Sequence, residues 1–221
     1  MEDRRIRLSN TDMRAVELKD SNYINNKGAK LYENNGFAPA VEYYRLAAAM
    51  GNVHSISNLG YCYLYGRDVE QDLSMAIAYF TVAGQLNDVD ALYKLGDIYG
   101  SDKWGIKDTE MSVYYYRLAA SLILDYEWDE GYILDNSRIL NYPSLAFALG
   151  RETGKDGAMV TDLDMSYQFL YMAVKGYEIQ LANGSSFYAQ VYEDAKEYLE
   201  REEYQQYKVK YAQPQEQSFD A

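Results

Sequence analysis

The chain repeats itself at a fixed interval, and that constrains its fold more tightly than any property of its composition. The stretches AVEYYRLAAAMGN from Ala40, AIAYFTVAGQLND from Ala76 and SVYYYRLAASLIL from Ser112 each start 36 residues after the one before. Leu59-Gly60 returns as Leu95-Gly96 after 36 residues and as Leu149-Gly150 after a further 54. Asp72, Asp108 and Asp162 keep the same two intervals, and so do Met75, Met111 and Met165. Unrelated positions that share one spacing imply one structural unit used several times.

The residue types at these positions describe that unit. A glycine recurs early in each first segment (Gly28, Gly60, Gly96, Gly150), and a small residue recurs in each second one (Ala40, Ala76, Ser112, Ser166). Seven residues on, a further alanine follows (Ala47, Ala83, Ala119, Ala173). Seven residues is about two helical turns, so the last two sets fall on one stripe of a helix. Small residues there let backbones approach, while Tyr44, Phe80, Tyr116 and Leu170 between them supply bulk for a core. Each recurring Asp stands just before a helical pattern, where its carboxylate can accept backbone N–H groups at the positive end of the helix dipole. The pattern predicts first helices near 22–34, 54–65, 90–100 and 143–153, and second helices near 38–50, 73–85, 109–123 and 163–176.

Ile56-x₂-Leu59-Gly60-x₂-Tyr63 followed by Ala76-x₃-Phe80-x₂-Ala83 resembles the tetratricopeptide repeat. The longer loops GRDVEQD from Gly66 and SDKWGIKD from Ser101 make it similar to the Sel-1-like variant. Lys27 and Thr153 depart from that pattern, where Leu and Tyr are usual. The resemblance implies an all-α fold, a right-handed alpha-alpha superhelix of about four antiparallel helix pairs. On this reading residues 1–21 are a lead-in and 22–177 the repeat array. Its units are 22–52, 53–88, 89–124 and 143–177, with an insertion near 121–141. One capping helix is expected over 178–211, because a solenoid must cover its last apolar face, with a flexible tail over 212–221.

Composition narrows function by exclusion. With 21 basic against 34 acidic residues the net charge is −13, which disfavours nucleic acid and anionic membranes and favours a protein or peptide partner with a basic surface. The 25 tyrosines against 6 phenylalanines suit a thin structure with many half-buried side chains. Cys62 is the single cysteine, the N-terminal stretch lacks the apolar run of a signal peptide, and no window is apolar enough to span a bilayer. A cytoplasmic location is the expectation.

Catalytic constellations are sparse. His54 is the only histidine and lies eight residues from Cys62, about two helical turns away and too far for a Cys–His couple. No nucleophile elbow, phosphate loop, dinucleotide fingerprint or calcium loop is present, so no catalytic, cofactor or metal residue is assigned. The resemblance implies instead a concave groove lined by first helices. By register its partner-binding residues are Asn25, Asn26, Tyr32, Asn58, Tyr61, Tyr65, Tyr93, Lys94, Asp97, Phe147 and Arg151, with Asn22, His54, Ser57 and Asp90 on the same row. Tyr126 and Trp128 in the acidic insertion form a secondary contact candidate, as aromatic anchors among carboxylates. The expected function is a non-catalytic scaffold or adaptor holding a peptide or protein segment. The alternatives are a small-ligand regulator and an enzyme built on carboxylates.

Overall fold

The computed structural model describes residues 6–124 and 132–212 and contains helices but no strand among them. The fold class is the all-α helix-pair solenoid that the 36-residue interval predicts. The chain divides into two compact units, Met1–Ala119 and Ala120–Ala221.

The first unit contains α1 (Asn10–Glu17), α2 (Ser21–Glu33), α3 (Phe37–Ala49), α4 (Val53–Tyr65), α5 (Leu73–Gln85), α6 (Val89–Gly100) and most of α7 (Thr109–Ser121). Each pair α2/α3, α4/α5 and α6/α7 is one repeat. The invariant glycine of each first helix lies where the large residue of the second helix arrives. A Cβ on Gly28 would sit 2.8 Å from Tyr44, on Gly60 2.8 Å from Phe80, and on Gly96 2.6 Å from Tyr116. All three distances are shorter than carbon–carbon contact, so only a bare backbone admits the ring. Beside the Phe80 contact, Ala76, Ala83, Leu64, Leu95 and Ile98 close one core cluster, which therefore draws on α4, α5 and α6 together. Burial is shared between neighbouring repeats, as stacked units that cannot bury their own faces require.

The recurring aspartates do two jobs. Asp72 Oδ1 accepts the Met75 N–H at 2.9 Å, Asp108 the Met111 N–H at 3.0 Å and Asp162 the Met165 N–H at 2.9 Å, so each caps its second helix. Their own N–H groups donate to Tyr63, Tyr99 and Thr153 carbonyls at 3.0, 2.8 and 2.9 Å, tying each loop back to the first helix. The serines that replace alanine on the second helices also bond: Ser112 Oγ donates to the Gly96 carbonyl at 2.8 Å and Ser166 Oγ to that of Gly150 at 2.6 Å. Tyr63/Tyr79 and Tyr99/Tyr115 stack between the helices of their pairs, with centroids 5.4 and 5.8 Å apart.

Within the expected lead-in, Ser9 and Asp12 form a capping box that starts α1. The buried Asp12 carboxylate then accepts from Lys27 Nζ at 2.7 Å and from the Tyr43 hydroxyl at 2.9 Å. Burial would raise its pKa, but the hydrogen bonds from Lys27, Ser9 and Tyr43 hold it well below the usual carboxylate range.

The second unit contains short 3₁₀ turns at Tyr132–Asp135 and Ser137–Asn141, then α8 (Pro143–Glu152), α9 (Leu163–Ala182), α10 (Ala189–Leu199) and α11 (Gln205–Ala212). The α8/α9 pair repeats the glycine rule, with a Gly150 Cβ falling 2.7 Å from Leu170. The single helix expected over 178–211 is not observed. Instead α9 runs on to Ala182 and stops at Gly184, whose φ of +92° is left-handed backbone that favours glycine. Then α10 packs back on α9, and α11 lies across the start of α9. Tyr167 stacks on Tyr211 with centroids 5.7 Å apart, Tyr211 and Lys210 donate to the Asp164 carboxylate, and the buried Tyr204 hydroxyl lies 2.7 Å from Ser166 Oγ. The insertion's Tyr126 and Trp128, and the tail beyond Ala212, lie outside the described residues.

Candidate functional site

The row of positions that register assigns to partner contact runs along α2, α4 and α6 of the first unit. Its chemistry starts from a rule that joins each first helix to the next. Asn52, at the N-cap of α4, accepts the Ser55 N–H through Oδ1 at 2.9 Å and donates from Nδ2 to Asn22 Oδ1 at 2.9 Å. One repeat later Asp88, at the N-cap of α6, accepts the Ala91 N–H through Oδ1 at 2.8 Å, and its Oδ2 lies 2.8 Å from His54 Nδ1. Asn22 and His54 are equivalent positions, as are Asn52 and Asp88. One cap side chain thus serves its own helix with one atom and grips the preceding first helix with the other.

A second rung lies one turn further on. Asn25 Oδ1 accepts from Ser55 Oγ at 2.8 Å and from Asn58 Nδ2 at 3.0 Å, and its own amide donates to Asn26 at 3.3 Å. Ser57 stands at the register of Asn25, but Ala91 and Lys94 replace Ser55 and Asn58 there, and its buried Oγ has no hydrogen-bond partner among the described residues. Lys94 closes the row on α6. Its buried ammonium meets Asp97 Oδ2 at 2.8 Å and lies 5.6 and 5.0 Å from the ring centroids of Tyr61 and Tyr93, within cation–π range. Burial alone would lower its pKa; Tyr61 and the Asp97 carboxylate override it and keep the group charged.

Asp90 is the open charge of this face. It is solvent-exposed, and it makes no hydrogen bond or ion pair with another described residue. Protein packed around the carboxylate, although its side chain keeps access to solvent, and then the neighbouring Asp88 carboxylate raise its pKa, against partial relief from His54 and Lys94. His54 moves the same way for a different reason: the hydrogen bond to Asp88 outweighs its desolvation and raises its pKa. The result is an acidic locus at α4–α6 flanked by tyrosine rings. Tyr65 is exposed and stacks on Tyr61 with centroids 6.4 Å apart.

The remaining register positions separate by environment. Asn26 is exposed, and Asn58, Tyr61, Tyr93 and Asp97 are half-buried along the same row. Tyr61 meets Phe80 edge-on at 5.0 Å, so it props the core as well as lining the face and is not the fully exposed side chain its register suggests. Asn25 and Lys94 are buried and satisfied within the protein, which makes them supports of the face. Tyr32 packs with Phe37 at 5.0 Å and against the Tyr44 cluster, on the core side of α2. In the second unit Phe147 is buried beneath Tyr198 of α10, 5.5 Å away, and the Arg151 guanidinium lies 5.1 Å above the Phe147 ring. There the α10 segment occupies the face that an external partner would need. Sequence reasoning missed Asp88 as a member of the site, because an N-cap aspartate looks complete with one bond. Cys62 is buried, and burial pushes its thiol up to about 12. Among the described residues no three His, Cys, Asp or Glu side chains group as metal ligands, and no helix is long and apolar enough to cross a membrane.

Three consecutive segments, residues 26–52, 53–88 and 89–122, match the Sel1 repeat family model. Among solved structures, the chain is similar to a Sel1 repeat protein from Oxalobacter formigenes, with a TM-score of 0.52 and 20% identity over 78% of this chain and 66% of that one. It is also similar to c5321, a protective antigen of uropathogenic Escherichia coli with an SLR fold, at a TM-score of 0.42 and 18% identity over 90% of this chain and 55% of that one. The chain spans less than two thirds of the length of either structure. Curated protein sequences contain no match to it.

Proposed function

We propose that the chain is a Sel1-like repeat scaffold that binds an extended peptide segment across the α2–α4–α6 face through a cationic side chain placed at Asp90. The observation that carries the reading is the unpaired, exposed Asp90 carboxylate beside Asp88, with the Tyr65, Tyr61 and Tyr93 rings along the same row. An arriving Lys or Arg would relieve the repulsion between the two carboxylates. The rings supply stiff contact area, and Asn26 and Asn58 offer amides to a peptide backbone. The net charge of −13 steers basic segments toward the protein and makes their capture depend on salt. No cofactor or metal enters this reading, and the site is held to be non-catalytic.

Selection of a displayed peptide library on the whole chain tests it. Enriched peptides should carry Lys or Arg, and Asp90→Asn should weaken them about 5- to 50-fold, the range of an interfacial charge contact. Uncharged enriched peptides, or affinity indifferent to Asp90→Asn, would sink the reading. A second reading rests on His54, held by the buried Asp88 next to an Asp90 of raised pKa, which is an acid–base arrangement. Turnover of simple ester or glycoside substrates that His54→Gln abolishes would favour that enzyme instead.

A further inference from the structure

The open acid of the α2–α4–α6 face has a counterpart at the other end of the same surface. Lys103 lies in the 3₁₀ turn Asp102–Trp104 that follows α6, and it is exposed. Its ammonium sits 4.4 Å from the ring centroid of Trp104 and 5.9 Å from that of Tyr65, within cation–π range. The rings beneath it are held in place: Trp104 packs against the α4–α6 core, and Tyr65 stacks on Tyr61. The acid next to it in sequence, Asp102, is taken by Lys107 Nζ at 2.9 Å. Among the described residues the Lys103 ammonium meets no carboxylate and no other hydrogen-bond acceptor, so a cation is held over aromatic carbon with its donors open.

The distance between the two charges sets what can join them. Helix α4 meets the α6 segment at both ends, at its start through His54 and Asp88 and at its close through Tyr65 and Lys103. From His54 to Tyr65 the helix rises about 16 Å, so Asp90 and Lys103 are too far apart to pair with each other. An extended peptide advances about 3.3 Å per residue and turns alternate side chains to one side. Positions four or six apart therefore share a side and span about 13–20 Å, which brackets the gap. Resting on the reading of Asp90 as the cation site, we propose that the bound segment carries an Asp or Glu four or six positions from its Lys or Arg, and that Lys103 receives that carboxylate. A net charge of −13 repels acidic groups in general, so an acid in the partner gains affinity only where an open cation awaits it. Unlike charges at the two ends also fix the direction in which the segment lies.

Selecting a displayed library of random linear peptides in parallel on the whole wild-type chain, Lys103→Glu and Asp90→Asn is the test. Lys103 is exposed, so its variant should keep the wild-type circular dichroism. On wild type, enriched peptides should pair Lys or Arg with Asp or Glu four or six positions away, in one fixed order. On Lys103→Glu that acid should disappear and a second base should take its place. For one enriched wild-type peptide, synthesised with both ends blocked, replacing its acid by the amide should weaken binding to wild type about 3- to 10-fold and should not weaken binding to Lys103→Glu. Basic peptides that need Asp90 but show no acid at these spacings, or keep it on Lys103→Glu, overturn the proposal and leave the Asp90 reading standing. Enriched peptides indifferent to Asp90→Asn sink that reading and this proposal with it.

Discussion

Replacing Gly60 by valine tests the helix contact on which the repeat depends. A Cβ at this position would lie 2.8, 2.9 and 3.0 Å from Cε1, Cδ1 and Cζ of Phe80. Favourable carbon–carbon contact needs about 3.5–4.0 Å, so the methine alone overlaps three ring atoms by about 0.5–1 Å, before either γ-methyl is counted. The ring has nowhere to go. Phe80 is fully buried, Tyr61 meets it edge-on, and Ala76, Ala83 and Leu95 close the same cluster. Overpacking of this kind costs about 1–3 kcal/mol, and two branches at Cβ put valine at the upper end. Intrinsic helix propensity works the other way but returns only about 0.4 kcal/mol for Gly→Val. The net expectation is a loss of about 2–3 kcal/mol, or a Tm lowered by roughly 4–12 °C in a chain of this length. Thermal unfolding followed by circular dichroism measures it. Phe80→Ala in the same chain should offset part of the Gly60→Val loss, so that the double variant is more stable than the sum of the singles. A Tm within about 2 °C of wild type would refute the assigned register, because on an open helix face Gly→Val changes stability by only about 0.4 kcal/mol, and in the stabilising direction.

Three further outcomes follow from particular contacts. The stability difference between wild type and His54→Gln should be largest below pH 6.5 and vanish as pH rises through the raised folded pKa of His54; a difference that grows toward alkaline pH contradicts the His54–Asp88 pair. Its size stays below about 1 kcal/mol because His54 is largely exposed. Asp72→Ala removes the cap on Met75 and should cost about 1 kcal/mol in urea unfolding, with a peptide-level rise in hydrogen exchange confined to the start of α5; protection unchanged there speaks against the cap. Ending the chain at Gly184 strips α10 and α11 from α9 and uncovers Phe147, Tyr167 and Tyr177, so light scattering should show aggregation; a monodisperse truncated chain would show that this segment is not a cap.

The helix pairs were legible because their signals are local and repeated. Gly60 before Phe80, and Asp72 before Met75, each recur 36 residues later with the same chemistry, and the structure gives each recurrence the same contact. The polar rungs were not legible. Asn52 and Asp88 read as ordinary N-caps, and their second bond, to Asn22 or His54, depends on how one first helix is set against the next. The burial of Lys94 was not legible for a related reason. Lysine is rarely buried unless paired, and its cover comes from Tyr61 on another helix together with Tyr93 and Asp97 on its own. The break in the C-terminal segment was marked by Asn183-Gly184-Ser185, but the charge-rich run after it has helical periodicity throughout and hid the turn.

The central claim is that partners are held on the first-helix face of the repeats. Hydrogen exchange of the full chain, with and without a basic peptide selected on it, tests that most directly. The account predicts added protection in α4 and α6, over 53–65 and 89–100, with α3 and α5 unchanged on binding. Protection confined to 121–141, or to the second helices with α4 and α6 unaltered, would contradict it.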